Sequence, residues 1–231
     1  MARERLFIDD LSVEGPAVRV FQDLVRRRAV GHEPVAYLIG RRGFRHIDLE
    51  VDPRVLIPRP ETEHAVEAVV ELAPQGARVV DVGTGSGAIA LACKDERPDL
   101  VITGSDVSAE ALAVARTNGD RLGLVVEWVH ADGVPPGDWD VVVSNPPYVA
   151  DDDPRLAPDV RAHEPHTALF AGPDGLEVIR RLVADPVPLL VLEVGEGQAQ
   201  EVARLAKEAG YARAEVRGDL AGIERIVVAW T

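Results

Sequence analysis

The chain is poor in residues that cross-link or stack. It has one cysteine, Cys93, in 231 residues, which excludes an internal disulfide and suits a reducing compartment. Within "AIALACKDE" that cysteine falls on the buried side of a helical pattern, a packing position rather than a reactive thiol. Aromatic residues make up only 4% of the chain. There is no apolar run of membrane-spanning length, and the opening "MARERLFIDD" lacks the apolar stretch of a signal peptide. The expectation is a cytoplasmic protein with no membrane partner. Positive charge is also short: 25 basic residues against 39 acidic ones give a net charge of −14. Binding to a nucleic-acid backbone is largely electrostatic, so direct nucleic-acid binding is not expected. Two local basic stretches, "LVRRRAVGH" (24–32) and "GRRGFRH" (40–46), read either as a solvated helix face followed by a turn or as a patch for docking a partner. Internal repeats and low-complexity tracts are missing as well.

What is present is ample apolar material, 46% of residues, arranged as short hydrophobic runs alternating with helical patterns from Arg78 onward. That alternation predicts a parallel sheet covered on both faces. Strands are expected at 77–83, 101–106, 125–132, 138–145 and 188–195, with two further strands pairing late. Helices are expected at 86–96, at 108–123 with Ser108 as the cap, and at 197–210. Before this core, residues 15–31 read as one helix with Pro16 in its first turn. Residues 44–63 alternate like a hairpin and then break on prolines. Forty residues are too few to hold a core alone, so the N-terminal piece should pack on the main domain or on a partner.

"DVGTGSG" (81–87) sets glycines at every second position between a strand and a helix, where a ligand can approach the backbone closely. The spacing is not the dinucleotide fingerprint G-x-G-x-x-G. Asp106 ends the next strand, well placed to bind a ribose diol. Loop, strand and terminal acid together point to a nucleoside ligand. The leading Asp81, able to meet a positively charged amino group, favours S-adenosylmethionine over NAD. Asp132, ending the third strand in "HADG", is the expected acceptor for an adenine amino group, or else a turn residue before Gly133.

The stretch "VVVSNPPYVA" (141–150) ends a strand abruptly, because Pro146 and Pro147 cannot donate to a ladder. It leaves the side-chain carbonyl of Asn145 and the main-chain carbonyl of Pro146 able to accept from one planar NH2 group, with Tyr148 able to stack on it. Holding that nitrogen pyramidal frees its lone pair. Catalysis would then rest on orientation and electrostatic placement, with no general base needed beforehand. The NH2 could belong to a nucleobase or to an amide.

Together with "GHEPVAYLIGRRGF", "VLIPRPETE", "SDVSAEALAVAR", "EPHTALFAGPDGLEVIRRL", "LLVLEVGEGQAQEV" and "GDLAGIERIVVA", these motifs resemble the HemK/PrmC family of protein-glutamine methyltransferases over roughly residues 31–231. The resemblance implies a Rossmann-like class I methyltransferase: an α/β fold with a seven-stranded, mostly parallel sheet and helices on both faces. It further implies a short helical remnant for substrate recognition at 1–43, a hairpin connector at 44–60 and the methyltransferase domain at 61–231. Asp81, Gly83, Thr84, Gly85, Asp106, Val107, Asp132, Gly133 and Asn145 would hold S-adenosylmethionine, with no metal. Asn145, Pro146 and Tyr148 would be catalytic; together with Pro147, Pro60 and Glu61 they would bind the substrate, and Thr62 would border the mouth of the site. Glu164 and Pro165 would sit near the site, or anchor a loop to the core. His163 and His166 lack a third ligand and read as surface residues. The implied substrate is the glutamine of the Gly-Gly-Gln loop of peptide-chain release factors, methylated by a monomeric enzyme. Alternatives are a ribosomal-protein glutamine or an exocyclic amine of adenine or guanine. An NAD-linked oxidoreductase would leave "NPPY" unexplained.

Overall fold

The computed structural model describes residues 15–231; the first fourteen residues of the expected N-terminal piece lie outside it. Helix α1, Pro16–Gly31, starts on its proline and ends where His32 adopts the left-handed conformation, φ 53°. None of its residues is buried. The arginines of the first basic stretch are paired: Arg26 with Asp23, Arg27 with Glu33, Arg28 with Asp159. Each of these arginines is solvent-exposed and faces an acid. A short helix α2, Val35–Ile39, follows, and then a hairpin of β1, Arg41–Phe44, and β2, Ile47–Glu50.

The hairpin begins three residues before the expected boundary and closes by Glu50; residues 51–59 run without regular structure up to a 3-10 turn at Pro60–Thr62. "RRGF" hides its strand character because only Phe44 of β1 is buried. Phe44, Ile47 and Leu49 join one apolar core with the main domain. Asn118 fastens the hairpin in place: its amide oxygen accepts from the Glu50 N–H at 2.7 Å, and its NH2 donates to the carbonyls of Glu50 and Ser86.

The main domain begins with helix α3, Glu63–Leu72, and continues through β3, Arg78–Val82; α4, Ala88–Glu96; β4, Val101–Asp106; α5, Ala109–Leu122; β5, Glu127–His130; and β6, Val141–Ser144. The second half holds α6, Pro158–His163; a 3-10 turn, His166–Ala168; α7, Glu177–Val183; β7, Leu189–Glu193; α8, Ala199–Ala209; β8, Arg213–Gly218; and β9, Glu224–Trp230. The seven strands lie in the order β5-β4-β3-β6-β7-β9-β8, all parallel except β9, which runs antiparallel to both its neighbours. One face carries α3, α4 and α5; the other carries α7 and α8. Strands covered on both sides read as near-continuous apolar runs, which is why "VVV" and "LLVL" announced themselves. Ser108 caps α5 by accepting the Ala111 N–H at 3.2 Å. Sequence periodicity did not single out α7, whose seven residues are too few to establish a helical pattern. Strand order reverses at β3, so the crevice for a ligand opens beyond the carboxyl ends of β3 and β6.

Candidate active site

The turn from β3 into α4 needs left-handed backbone at Gly83 and Gly85, φ 72° and 56°, which side-chain-bearing residues adopt only with strain. Asp106 holds this loop in place. One of its carboxylate oxygens accepts the Gly85 N–H at 2.9 Å and the other accepts the Ser108 N–H at 2.8 Å. Gly83, Gly85, Asp106, Val107, Asp132, Gly133, Asn145, Pro146 and Pro147 all line one cavity of 510 Å³ beyond the strand ends. The structure thus brings together most of the residues assigned from sequence to cofactor and substrate.

Asp81 and Thr84 are placed differently: neither lines that cavity. Asp81 is 1% exposed and accepts the Thr84 hydroxyl at 2.6 Å and the Ala90 N–H at 3.1 Å. These two residues brace the loop from behind because β3 turns the Asp81 side chain into the helix-covered face. Asp132 is exposed and paired with the Arg181 guanidinium from α7.

Asn145 is held by a contact that the sequence did not announce. Its Nδ2–H donates to the Thr62 hydroxyl at 3.0 Å, which commits the NH2 and leaves Oδ1 as an acceptor. Thr62 is 4% exposed at the end of the "PET" turn, while Pro60 and Glu61, expected at the mouth of the site, line neither hollow. Tyr148 does not line the large cavity. It faces a second hollow of 310 Å³, and its hydroxyl donates to Glu193 at 3.2 Å. β7 places a buried carboxyl beside the phenol, so the Tyr148 hydroxyl is tied down at its far end. Burial and the Glu193 charge raise the Tyr148 pKa well above its ordinary value. Sequence reading missed Glu193; the available signal was an acid ending an otherwise apolar strand.

Glu164 proves to be the loop anchor. It is 5% exposed, accepts the Ile57 N–H at 3.1 Å and pairs with Arg59 at 2.5 Å, tying "VLIPRP" to "EPHTAL". Its neighbour Pro165 lines the large cavity. His163 bonds the Gly31 carbonyl at 2.8 Å, and His166 packs edge-on to Phe170. Among the described residues, no cluster of three or more acids, histidines or cysteines could hold a metal.

Gly175 seats the segment after Asn145. Its φ is +71°, and a Cβ there would lie 2.2 Å from the Tyr148 carbonyl oxygen. Gln198 donates to that same oxygen at 3.0 Å. Gly175→Ala is therefore expected to cost about 2–3 kcal/mol of stability through strain and displaced backbone, and to lower activity by shifting Tyr148. Thermal unfolding within 1 °C or so of wild type would show that the segment yields freely.

Burial pushes the pKa of Asp81 up to about 7 against the Thr84 and Ala90 bonds, and burial likewise pushes Glu193 up to about 7. A carboxyl with a raised folded-state pKa holds its proton more tightly when folded. Its contribution favours folding below the ordinary carboxylate range and is lost as pH climbs through about 7. The melting temperature should accordingly be higher near about pH 5.5 than near about pH 8.5. A melting temperature that rises steadily across that window would contradict both assignments.

A doubly wound sheet with a glycine loop, a strand-end acid and Asn-Pro-Pro-Tyr beside them defines the methyltransferase class. Residues 62–160 match the methyltransferase small domain family. A solved methyltransferase from Pyrococcus furiosus superposes with a TM-score of 0.60 at 16% identity, over 92% of this chain and 96% of that one. The release factor glutamine methyltransferase of Neisseria gonorrhoeae is 42% identical over 91% of this chain and 81% of its own length. That of Gloeobacter violaceus is 43% identical over 90% and 78%. The chain belongs to the release factor glutamine methyltransferase family.

Proposed function

We propose that this protein transfers a methyl group from S-adenosylmethionine to the side-chain amide nitrogen of the glutamine in the Gly-Gly-Gln loop of peptide-chain release factors. The observation that carries this reading is the orientation of Asn145. With its NH2 committed to Thr62, it offers a carbonyl at the edge of a cavity large enough for a nucleoside cofactor.

The chain's residues fit that cofactor. Asp106 keeps lone pairs beyond its two backbone bonds and can accept from ribose hydroxyls. Val107 offers an apolar surface at the cavity wall, 57% exposed in the structure. Asp132, with Gly133 beside it, can accept from an adenine amino group once it shares or releases Arg181. Asp81, whose Oδ1 lacks a partner within the described residues, sets the loop rather than the cavity wall. When bound, S-adenosylmethionine supplies an electrophilic methyl group on a positively charged sulfur.

Asn145 Oδ1 and the Pro146 carbonyl accept the two N–H bonds of the glutamine amide, and Pro147 walls the site. Two acceptors on one NH2 favour a pyramidal nitrogen and aim its lone pair along the cavity. No residue need take a proton in advance, because the N–H becomes acidic only once the nitrogen carries the methyl. Rate enhancement comes from orientation and fixed dipoles. No helix among the described residues is long and apolar enough to cross a membrane. We place the enzyme in the cytoplasm, acting as a monomer on a protein partner; the net charge of −14 supports a protein substrate over a nucleic acid.

The test is transfer of tritiated methyl to unmodified release factors, each as wild type and with Gln→Ala in the Gly-Gly-Gln loop. Label on the wild type alone supports the assignment. Absence of label, with label appearing on ribosomal protein or RNA, overturns the substrate and moves the same clamp to another NH2.

A further inference from the structure

Behind Asn145, Thr62, Tyr148 and the buried acid Glu193 form a cluster of polar side chains. Glu193 closes β7 and is 1% exposed. Its Oε1 accepts the Tyr148 hydroxyl at 3.2 Å, whereas its buried Oε2 has no hydrogen-bond partner among the described residues. The Thr62 hydroxyl is a group close enough to the carboxyl to supply one. Thr62 in turn accepts the Asn145 Nδ2–H. A hydroxyl carries one proton, so once Thr62 accepts from Asn145 its own O–H is free to point at Glu193.

Building on the function proposed above, we infer that Glu193 is a positioning residue that sets the polarity of the Asn145 amide through Thr62. As an acceptor, Glu193 draws the Thr62 O–H toward itself. The Thr62 oxygen then receives the Asn145 NH2, and Asn145 Oδ1 faces the cavity. A protonated Glu193 donates instead. Thr62 then accepts a hydrogen bond from the Glu193 carboxyl and donates its own O–H to Asn145 Oδ1, which turns the NH2 outward. Two NH2 groups would then oppose each other across the site, donor against donor, and the substrate amide would not be held.

The groups facing Glu193 are Thr62 and Glu61 from the 3-10 turn, Tyr148 from the segment after β6, and Arg225 from β9. Burial and the Glu61 charge hold the proton on; Arg225 and the two hydroxyls favour its loss. The balance puts the switch within reach of ordinary pH changes. Neither Thr62 nor Glu193 lines the large cavity, so their loss should leave cofactor affinity alone.

Two measurements test the relay. The first is NMR of protein carrying 13C-labelled glutamate and 15N-labelled asparagine, titrated with pH. The Asn145 side-chain amide should shift with the same midpoint as the Glu193 carboxyl in wild type, and should stop tracking it in Thr62→Val. The second is kinetics. Glu193→Gln and Thr62→Val should lose between about 10- and 100-fold in kcat, the scale of a misplaced reacting group. S-adenosylhomocysteine binding should stay within about twofold, which also verifies folding, and Thr62→Ser should restore the rate. Wild-type kcat should fall as pH drops through the Glu193 midpoint, and Glu193→Gln should remove that limb. An Asn145 amide that stays fixed while Glu193 titrates, or a Thr62→Val enzyme with wild-type kcat and pH profile, overturns the inference. A coupled titration in a protein that labels no release factor would retain the relay and reject the substrate.

Discussion

Asn145→Ala is expected to cut methyl transfer by ~10²–10³-fold, about 3–4 kcal/mol of transition-state stabilisation, the scale of removing one preorganised polar contact. The structure sharpens the reason. Asn145 follows β6, and its amide is oriented by a 3.0 Å bond to a threonine that is itself buried. Its carbonyl is thus fixed before substrate arrives, and the cost of ordering it falls on folding rather than on the reaction. Alanine removes an acceptor from a reacting nitrogen but leaves the glycine loop and Asp106 untouched. The loss should therefore appear in kcat, while S-adenosylhomocysteine affinity stays within about twofold of wild type. Single-turnover transfer to a release factor, with calorimetric titration of the cofactor product, separates the two. Activity within a few-fold of wild type would remove Asn145 from the chemistry.

Asp106→Ala should do the reverse. Its carboxylate makes two charge-assisted bonds within the chain, to Gly85 at 2.9 Å and Ser108 at 2.8 Å, and lines the cavity with its remaining lone pairs. Losing the ribose contacts costs roughly 2–3 kcal/mol of binding, or about a 30- to 150-fold rise in Kd. Loss of the loop bonds adds to this by letting Gly85 drift. Transfer measured at saturating cofactor should recover most of its rate, because the Asn145 clamp is intact. Asp106→Asn, which retains one acceptor, should fall between alanine and wild type. An unaltered Kd in the alanine variant would mean that Asp106 only shapes the loop.

Much of the site was legible in one dimension because its parts sit where strands end. A strand end is marked in sequence by the change from apolar runs to glycine, proline or acid. "DVGTGSG", "SD" and "SNPPY" each carry that mark, and parallel order along the chain brings the three ends to one edge of the sheet. Resemblance then named the chemistry. What stayed hidden were side chains whose roles depend on neighbours distant in sequence. Thr62 lies 83 positions from the amide it orients, and Glu193 lies 45 positions from the tyrosine it holds. No periodicity links such pairs. Glu164 illustrates the same limit: "EPHTAL" was visible as a motif, but its role as anchor of Ile57 and Arg59 needed a contact across more than a hundred residues.

Composition and pattern by themselves determined an α/β protein without disulfides and a parallel sheet covered on both faces, and they raised the expectation of a glycine loop for a nucleoside and a clamp for an NH2 group. Those properties follow from local chemistry: which residues break strands, which permit left-handed backbone and which present acceptors. Tertiary structure alone decided that Asp81 and Thr84 brace the loop instead of lining the cavity, that the Tyr148 hydroxyl donates to Glu193, and that Thr62 rather than Pro60 or Glu61 reaches Asn145. The physical reason is packing. A strand-end side chain has two faces open to it, and which one it takes depends on the buried partner that the fold delivers there.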